Sequence, residues 1–216
     1  MNFNMDLWDT TEAKEIGEYE VLELGGHELI IKDAREHRSD FSGNISLKIS
    51  VDIAGNDKQK GFFQKQYDEN TNADKKWSNG ATKYLSLKDE QLAYLKGFIT
   101  SIEKSNPSFK FNKQGTWEQL QGLKIAGQFG LEEYEKQDGT IGTATKLIQF
   151  RSLDKLNEIK IPKVKLLNGN YIDYENYTPS TIRNNPFANF DDTVEITENL
   201  KGVFRNKKFP IILHSP

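Results

Sequence analysis

The sequence predicts a mainly β domain carrying one helix, an α+β fold, and three observations predict it. From Ile45 to Ile53 an apolar residue recurs at every second position, with Ser46, Lys48, Ser50 and Asp52 between, so one face of a strand is buried and the other meets solvent or ligand. After Ser86, the residues Leu92, Leu95, Phe98, Ile99 and Ile102 recur at spacings of three and four, the period of a helix. Two further apolar runs, Leu123 to Leu131 and Thr143 to Leu153, flank Asp138 and Gly139, a strong hairpin turn signal.

In chain order, residues 1–16 mix polar residues with Phe3, Leu7 and Trp8, which predicts an N-terminal arm with a short helix around Thr11 to Ile16. Glu18 to Asp33 reads as a strand interrupted at Gly25 and Gly26, where a bulge or bend lets it curve. Asp33 to Asn44 is expected to be a polar loop holding Arg35, His37 and Arg38. The Ile45–Ile53 strand then turns through Ala54, Gly55, Asn56 and Asp57 into a second strand, Lys60 to Tyr67, closing a hairpin. Asp68 to Lys83 reads as a polar connection with Lys75, Lys76 and Trp77 in its middle. Ser86 with Asp89 three residues on resembles a capping box, and Ser105, Asn106 and Pro107 end the helix. Five strands with one helix between the third and fourth is the connectivity of the OB-fold, a five-stranded Greek-key barrel that binds oligonucleotides or oligosaccharides. The barrel domain is expected over residues 17–162, followed by a polar, partly disordered C-terminal tail over 163–216. That tail holds Asp191, Asp192, Glu195 and Glu198, then the basic Lys201, Arg205, Lys207 and Lys208 before an apolar ending.

Composition removes several function classes. Zero cysteines exclude disulfides, thiolate nucleophiles and cysteine-ligated zinc, which suits a reducing compartment. No apolar run approaches the ~20 residues of a membrane span, and Asp6 and Asp9 stand where a signal peptide would be basic and then apolar, so a cytoplasmic protein is expected. His27, His37 and His214 are too scattered for a metal cluster, and no nucleophile elbow, zinc-protease or phosphate-loop motif occurs. Neither catalysis nor a cofactor is therefore expected. The acid pairs Asp191 with Asp192 and Glu132 with Glu133 could hold magnesium for a nuclease, but they read as solvated charges. The net charge of -3 is adverse for a nucleic-acid binder in total, although a basic groove can coexist with an acidic tail or back face.

The aromatic and basic residues carry the binding hypothesis. On the expected second strand Phe63 and Tyr67 flank Lys65 on one face, a set suited to stacking bases while pairing a phosphate. Lys48 lies opposite the apolar face of its strand and projects onto the outer sheet beside that set. Trp77 follows Lys75 and Lys76, where it either anchors the loop or stacks a base. Arg35 and Arg38 are assigned to the first inter-strand loop and Lys136 to the flank of the other, the two loops OB-folds use to grip ligands. Lys146 and Arg151 lie on the last strand on opposite faces, because their spacing is odd. Trp117 is expected to plug the end of the barrel. The candidate nucleic-acid-binding residues are thus Arg35, Arg38, Lys48, Phe63, Lys65, Tyr67, Lys76, Trp77, Lys136 and Lys146.

Several segments resemble small replication-module proteins of phages infecting Gram-positive bacteria. They are Ser42-Gly43-Asn44, Leu47-Lys48-Ile49, Val51-Asp52-Ile53-Ala54 and Gly61-Phe62-Phe63, then Leu95 to Ser101, Glu103 to Pro107, and Glu132-Glu133-Tyr134 before the Asp138-Gly139 turn. The resemblance spans residues 17–162 and implies an OB-fold single-stranded-DNA-binding protein of phage or mobile-element replication or recombination. Many such proteins end in an acidic tail closing on an aromatic residue, which recruits partner enzymes; here a basic cluster and an apolar ending follow the acidic run. The expected partners are single-stranded DNA and, through the C-terminal tail, replication or recombination proteins, with no membrane; a homodimer is left open. The rival is a protein-interaction module that binds a host or phage replication protein without DNA, consistent with a pI of about 5.7.

Overall fold

Gly25 opens the first strand at φ 108°, a conformation glycine takes without strain, and the chain then runs extended for fourteen residues. The computed structural model describes residues 20–179. The expected arm helix, the acidic run and the basic-apolar ending lie outside the described residues. Five substantial strands result: β1 (Gly25–Arg38), β2 (Ile45–Ile53), β3 (Thr82–Ser86), β4 (Lys124–Glu135) and β5 (Ile141–Arg151). Among the described residues two α-helices, α1 (Phe62–Glu69) and α2 (Leu92–Ser105), two short strands, β6 (Val164–Lys165) and β7 (Tyr171–Ile172), and five short 3-10 segments accompany them.

The fold is mixed α and β, built on one open sheet. Strands β3, β2, β1 and β4 lie side by side, each antiparallel to the next; β5 pairs antiparallel along the other edge of β4, while β6 joins β4 in parallel and leads into β7. Register breaks leave Lys32 of β1 and Ile148 of β5 as extra residues, which add local bend and twist to those two strands. The sheet curls until the turn before β3 meets β5. A Cβ on Gly80 would stand 2.6 Å from the Thr145 carbonyl oxygen, so only glycine allows that approach. Among the described residues no ladder joins β3 to β5.

The concave side holds the core. Leu29, Ile31, Leu47, Ile49, Val51, Ile125 and Phe129 are fully or almost fully buried, each contributing about 1.5–3 kcal/mol of apolar transfer. Phe98 and Ile102 of α2 and Phe62 and Phe63 of α1 join the same buried cluster, Phe63 stacking on Phe129 at 5.8 Å between centroids. His27 bridges the Asp57 carboxylate (Nδ1 to Oδ2, 3.1 Å) and the Glu23 carbonyl (Nε2 to O, 2.9 Å), tying the segment before β1 to the turn after β2.

Several expectations are corrected here. The expected second strand over Lys60 to Tyr67 is the helix α1, because Gly61 turns the chain at φ 70° and Asp52 Oδ1 accepts from the Phe63 N–H at 3.0 Å, satisfying a donor of the first helical turn. Asp52, expected on the outward face, is therefore buried. The expected polar loop from Asp33 is strand as far as Arg38, since the register break after Ile31 restores alternation with Ala34 inward. The third strand is β3, inside what reads as the end of a polar connection and the start of a helix. Ser86 is its last residue, and its Oγ accepts from Lys88 N at 3.2 Å, so α2 begins at Leu92 after a short turn. The polar stretch after 162 adds β6 and β7 to the sheet, with Val164 buried. Trp117 is half-buried, stacked on Phe111 at 5.6 Å, with its Nε1 donating to Glu36 Oε1 at 3.4 Å. The Asp138-Gly139 hairpin forms as expected: Gly139 has φ 77°, and Asp138 Oδ1 accepts from Thr140 N and Oγ1.

Candidate nucleic-acid interface

Because Leu47 and Ile49 point into the core, Ser46 and Lys48 point out, and the strand register carries that alternation across three strands. Lys48 pairs with Arg35 on one side and Tyr84 on the other, so an arginine, a lysine and a tyrosine form one row across the outer face. Parallel rows on either side place His37, Ser46 and Ser86 together, and Asp33, Ser50 and Thr82. His37 lies against Tyr84 at 5.2 Å between rings, and Arg35 Nε sits 3.3 Å from Asp33 Oδ2.

The segment after α1 forms a wall beside these rows. Trp77 anchors it: the indole Nε1 donates to the Val51 carbonyl at 3.0 Å, and the ring meets Tyr67 at 5.7 Å. Lys75 holds its ammonium 4.6 Å above the Tyr67 ring, a cation–π contact. The result is a groove of about 710 Å³ walled by Lys32, Arg35, Lys48, Lys75 and Lys76 with a single carboxylate, Asp33, and by the rings of Tyr67, Trp77 and Tyr84. Fixed cations beside flat rings can neutralise phosphates and stack bases. Among the described residues no group of three or more histidines and carboxylates could hold a metal ion.

Of the sequence-derived candidates, Arg35, Lys48, Tyr67, Lys76 and Trp77 line this groove together. Arg35 does so from a strand rather than a loop. The others stand apart. Phe63, expected exposed beside Tyr67, is a core residue at 4% exposure, because the helix turns it inward. Lys65 points away and pairs with Glu20 at 3.1 Å. Arg38 is exposed at the end of β1, Lys136 is exposed at the β4–β5 turn, and Lys146 on β5 lies opposite Gly130. Lys32, Lys75 and Tyr84 were missed as site residues. The signal for Tyr84 was the alternation in Thr82-Lys83-Tyr84-Leu85-Ser86, which puts the ring on the same side as the two threonine and serine hydroxyls.

No family model and no curated protein matches the chain.

Proposed function

We propose that this chain binds single-stranded DNA without regard to sequence, through the outer face of β1, β2 and β3 and the wall that carries Trp77. The carrying observation is the convergence of five cations and three aromatic rings on one groove with a single carboxylate. Phosphates lie along the cations while bases stack on the rings at ~1–3 kcal/mol each, and sequence matters little because every base has a π-face. In this reading the curled sheet is an OB-fold barrel. Its support is the strand order, the helix α2 between β3 and β4, and the approach of Gly80 to Thr145 that brings the two ends of the sheet together. In this proposal, which draws on the resemblance to phage replication-module proteins, the chain serves replication or recombination of a phage or mobile element in the cytoplasm of its bacterial host, without catalysis or cofactor.

The test is fluorescence anisotropy of a labelled oligo(dT) and of a duplex of equal length. Five phosphate contacts on a single strand predict an affinity that falls roughly hundredfold between ~50 and ~200 mM salt. Binding to single strands in preference to duplex is the expected result. The interaction-module reading draws on the exposed rings of Tyr171 and Tyr174 at and beyond β7. Absence of binding at low salt overturns the DNA reading in its favour, and shortened products in magnesium would mark a nuclease.

A further inference from the structure

We infer that the bound strand does not stop at Tyr84 but crosses the β3 edge into a second nucleotide subsite, the cleft between β3, α2 and β5, with Tyr94 as its stacking ring and Arg151 as its phosphate contact. The inference rests on the single-strand reading above and extends it. Three observations carry it. Tyr84 lines both the first groove and this cleft of about 550 Å³, so the two are one path around the sheet edge. At the far end, Arg151 and Gln149 line both the cleft and a further depression of about 340 Å³ that adds Lys155 and Lys160.

Charge is the second observation. The walls of the three connected depressions hold nine lysines and arginines and two carboxylates, Asp33 and Glu158, although the chain as a whole carries -3; of the nine, Lys83 turns inward on its strand, under the influence of Glu132. The cleft itself has Lys83 and Arg151 in its walls and no carboxylate among the described residues that line it. A polyanion is the ligand such a path accommodates; an ordinary peptide segment would leave those cations unmatched.

The third observation is the ring. Tyr94, two residues into α2, is 76% exposed, while the floor beneath it is a packed aromatic pair, Phe98 and Phe150 at 4.8 Å between centroids. A tyrosine that contributes so little to the core is free to receive a base. Among the described residues no ladder pairs β3 with β5 across the cleft.

The experiment compares a short and a long oligo(dT), of about 6 and about 20 nucleotides, against the full chain. Tyr94→Ala combined with Arg151→Ala is expected to bind the short oligonucleotide as the parent does and the long one about tenfold more weakly. Tyr94→Phe, which keeps the ring, should retain parental binding of both. Thermal unfolding should be unchanged in each, since both side chains are exposed. Equal binding of the long oligonucleotide by parent and double variant overturns the extension alone, and so does an equal loss on both lengths. Failure of the unmodified chain to bind either length overturns the single-strand reading and this inference with it.

Discussion

Tyr84 is the residue on which the two grooves meet, and its role divides cleanly from folding. It stands 46% exposed on the outer face of β3, with Lys48 beside it and His37 against its ring. Tyr84→Ala is therefore expected to lower oligo(dT) affinity about tenfold, one stacked base in ~1–3 kcal/mol, while the unfolding free energy measured in urea stays within about 0.5 kcal/mol of the parent. Lys83, its neighbour, faces the opposite way. Burial holds its ammonium below the ordinary 10.5, against the pull of Glu132 upward, with Lys165 adding to the decrease. Between the folded value and 10.5 the unfolded chain binds this proton and the folded chain does not, so stability contributed here rises with pH through that window. Urea unfolding at successive pH values should accordingly show the parent gaining on Lys83→Gln as pH climbs toward 10.5. Lys48 was legible in the sequence because strict alternation fixed its side of the strand. Phe63 was not, since two adjacent phenylalanines fit a strand with one ring on each face and equally a helix that buries both.

At the scale of elements, what the sequence concealed is a long-range contact. Asp52 reads as one more polar residue of an alternating strand, yet its carboxylate turns inward and accepts from the N–H groups of Ile53 and Phe63, starting α1 eleven residues away. Such a cap has no local signature, whereas the Asp138-Gly139 turn and the helix end at Asn106 do. The strand β3 was hidden for a different reason: five residues with two threonine or serine hydroxyls, a lysine and a tyrosine bury little, so only pairing with β2 defines it. The seam between the ends of the sheet depends on Gly80. Gly80→Ala would push a methyl group against the Thr145 carbonyl, and a loss of about 1–3 kcal/mol in denaturant unfolding is the expected outcome. A substitution without loss would mean that the turn before β3 does not meet β5.

For the whole molecule, the decisive quantity is where charge lies rather than its sum. A total of -3 argues against DNA until the fold gathers Lys32, Arg35, Lys48, Lys75 and Lys76 on one side. Sequence order scatters these five over more than forty positions, and only the β1–β2–β3 register together with the Trp77 anchor brings them into one groove. The long helix ahead of β4 and the β4–β5 hairpin were readable from periodicity and turn chemistry; the third strand, the short β6 and β7, and the gathering of the cations were not.

Trp77 also makes the groove optically visible. Of the two tryptophans among the described residues, Trp77 and Trp117, it is Trp77 whose indole forms the groove wall, with the ring leaning on Tyr67. In a Trp8→Phe, Trp117→Phe background its emission alone should dim and shift when an unlabelled oligo(dT) is titrated in, and stay constant with an uncharged polymer. The protein would thereby report its own occupancy, and an emission spectrum indifferent to the nucleic acid would place the ligand somewhere other than beside this indole.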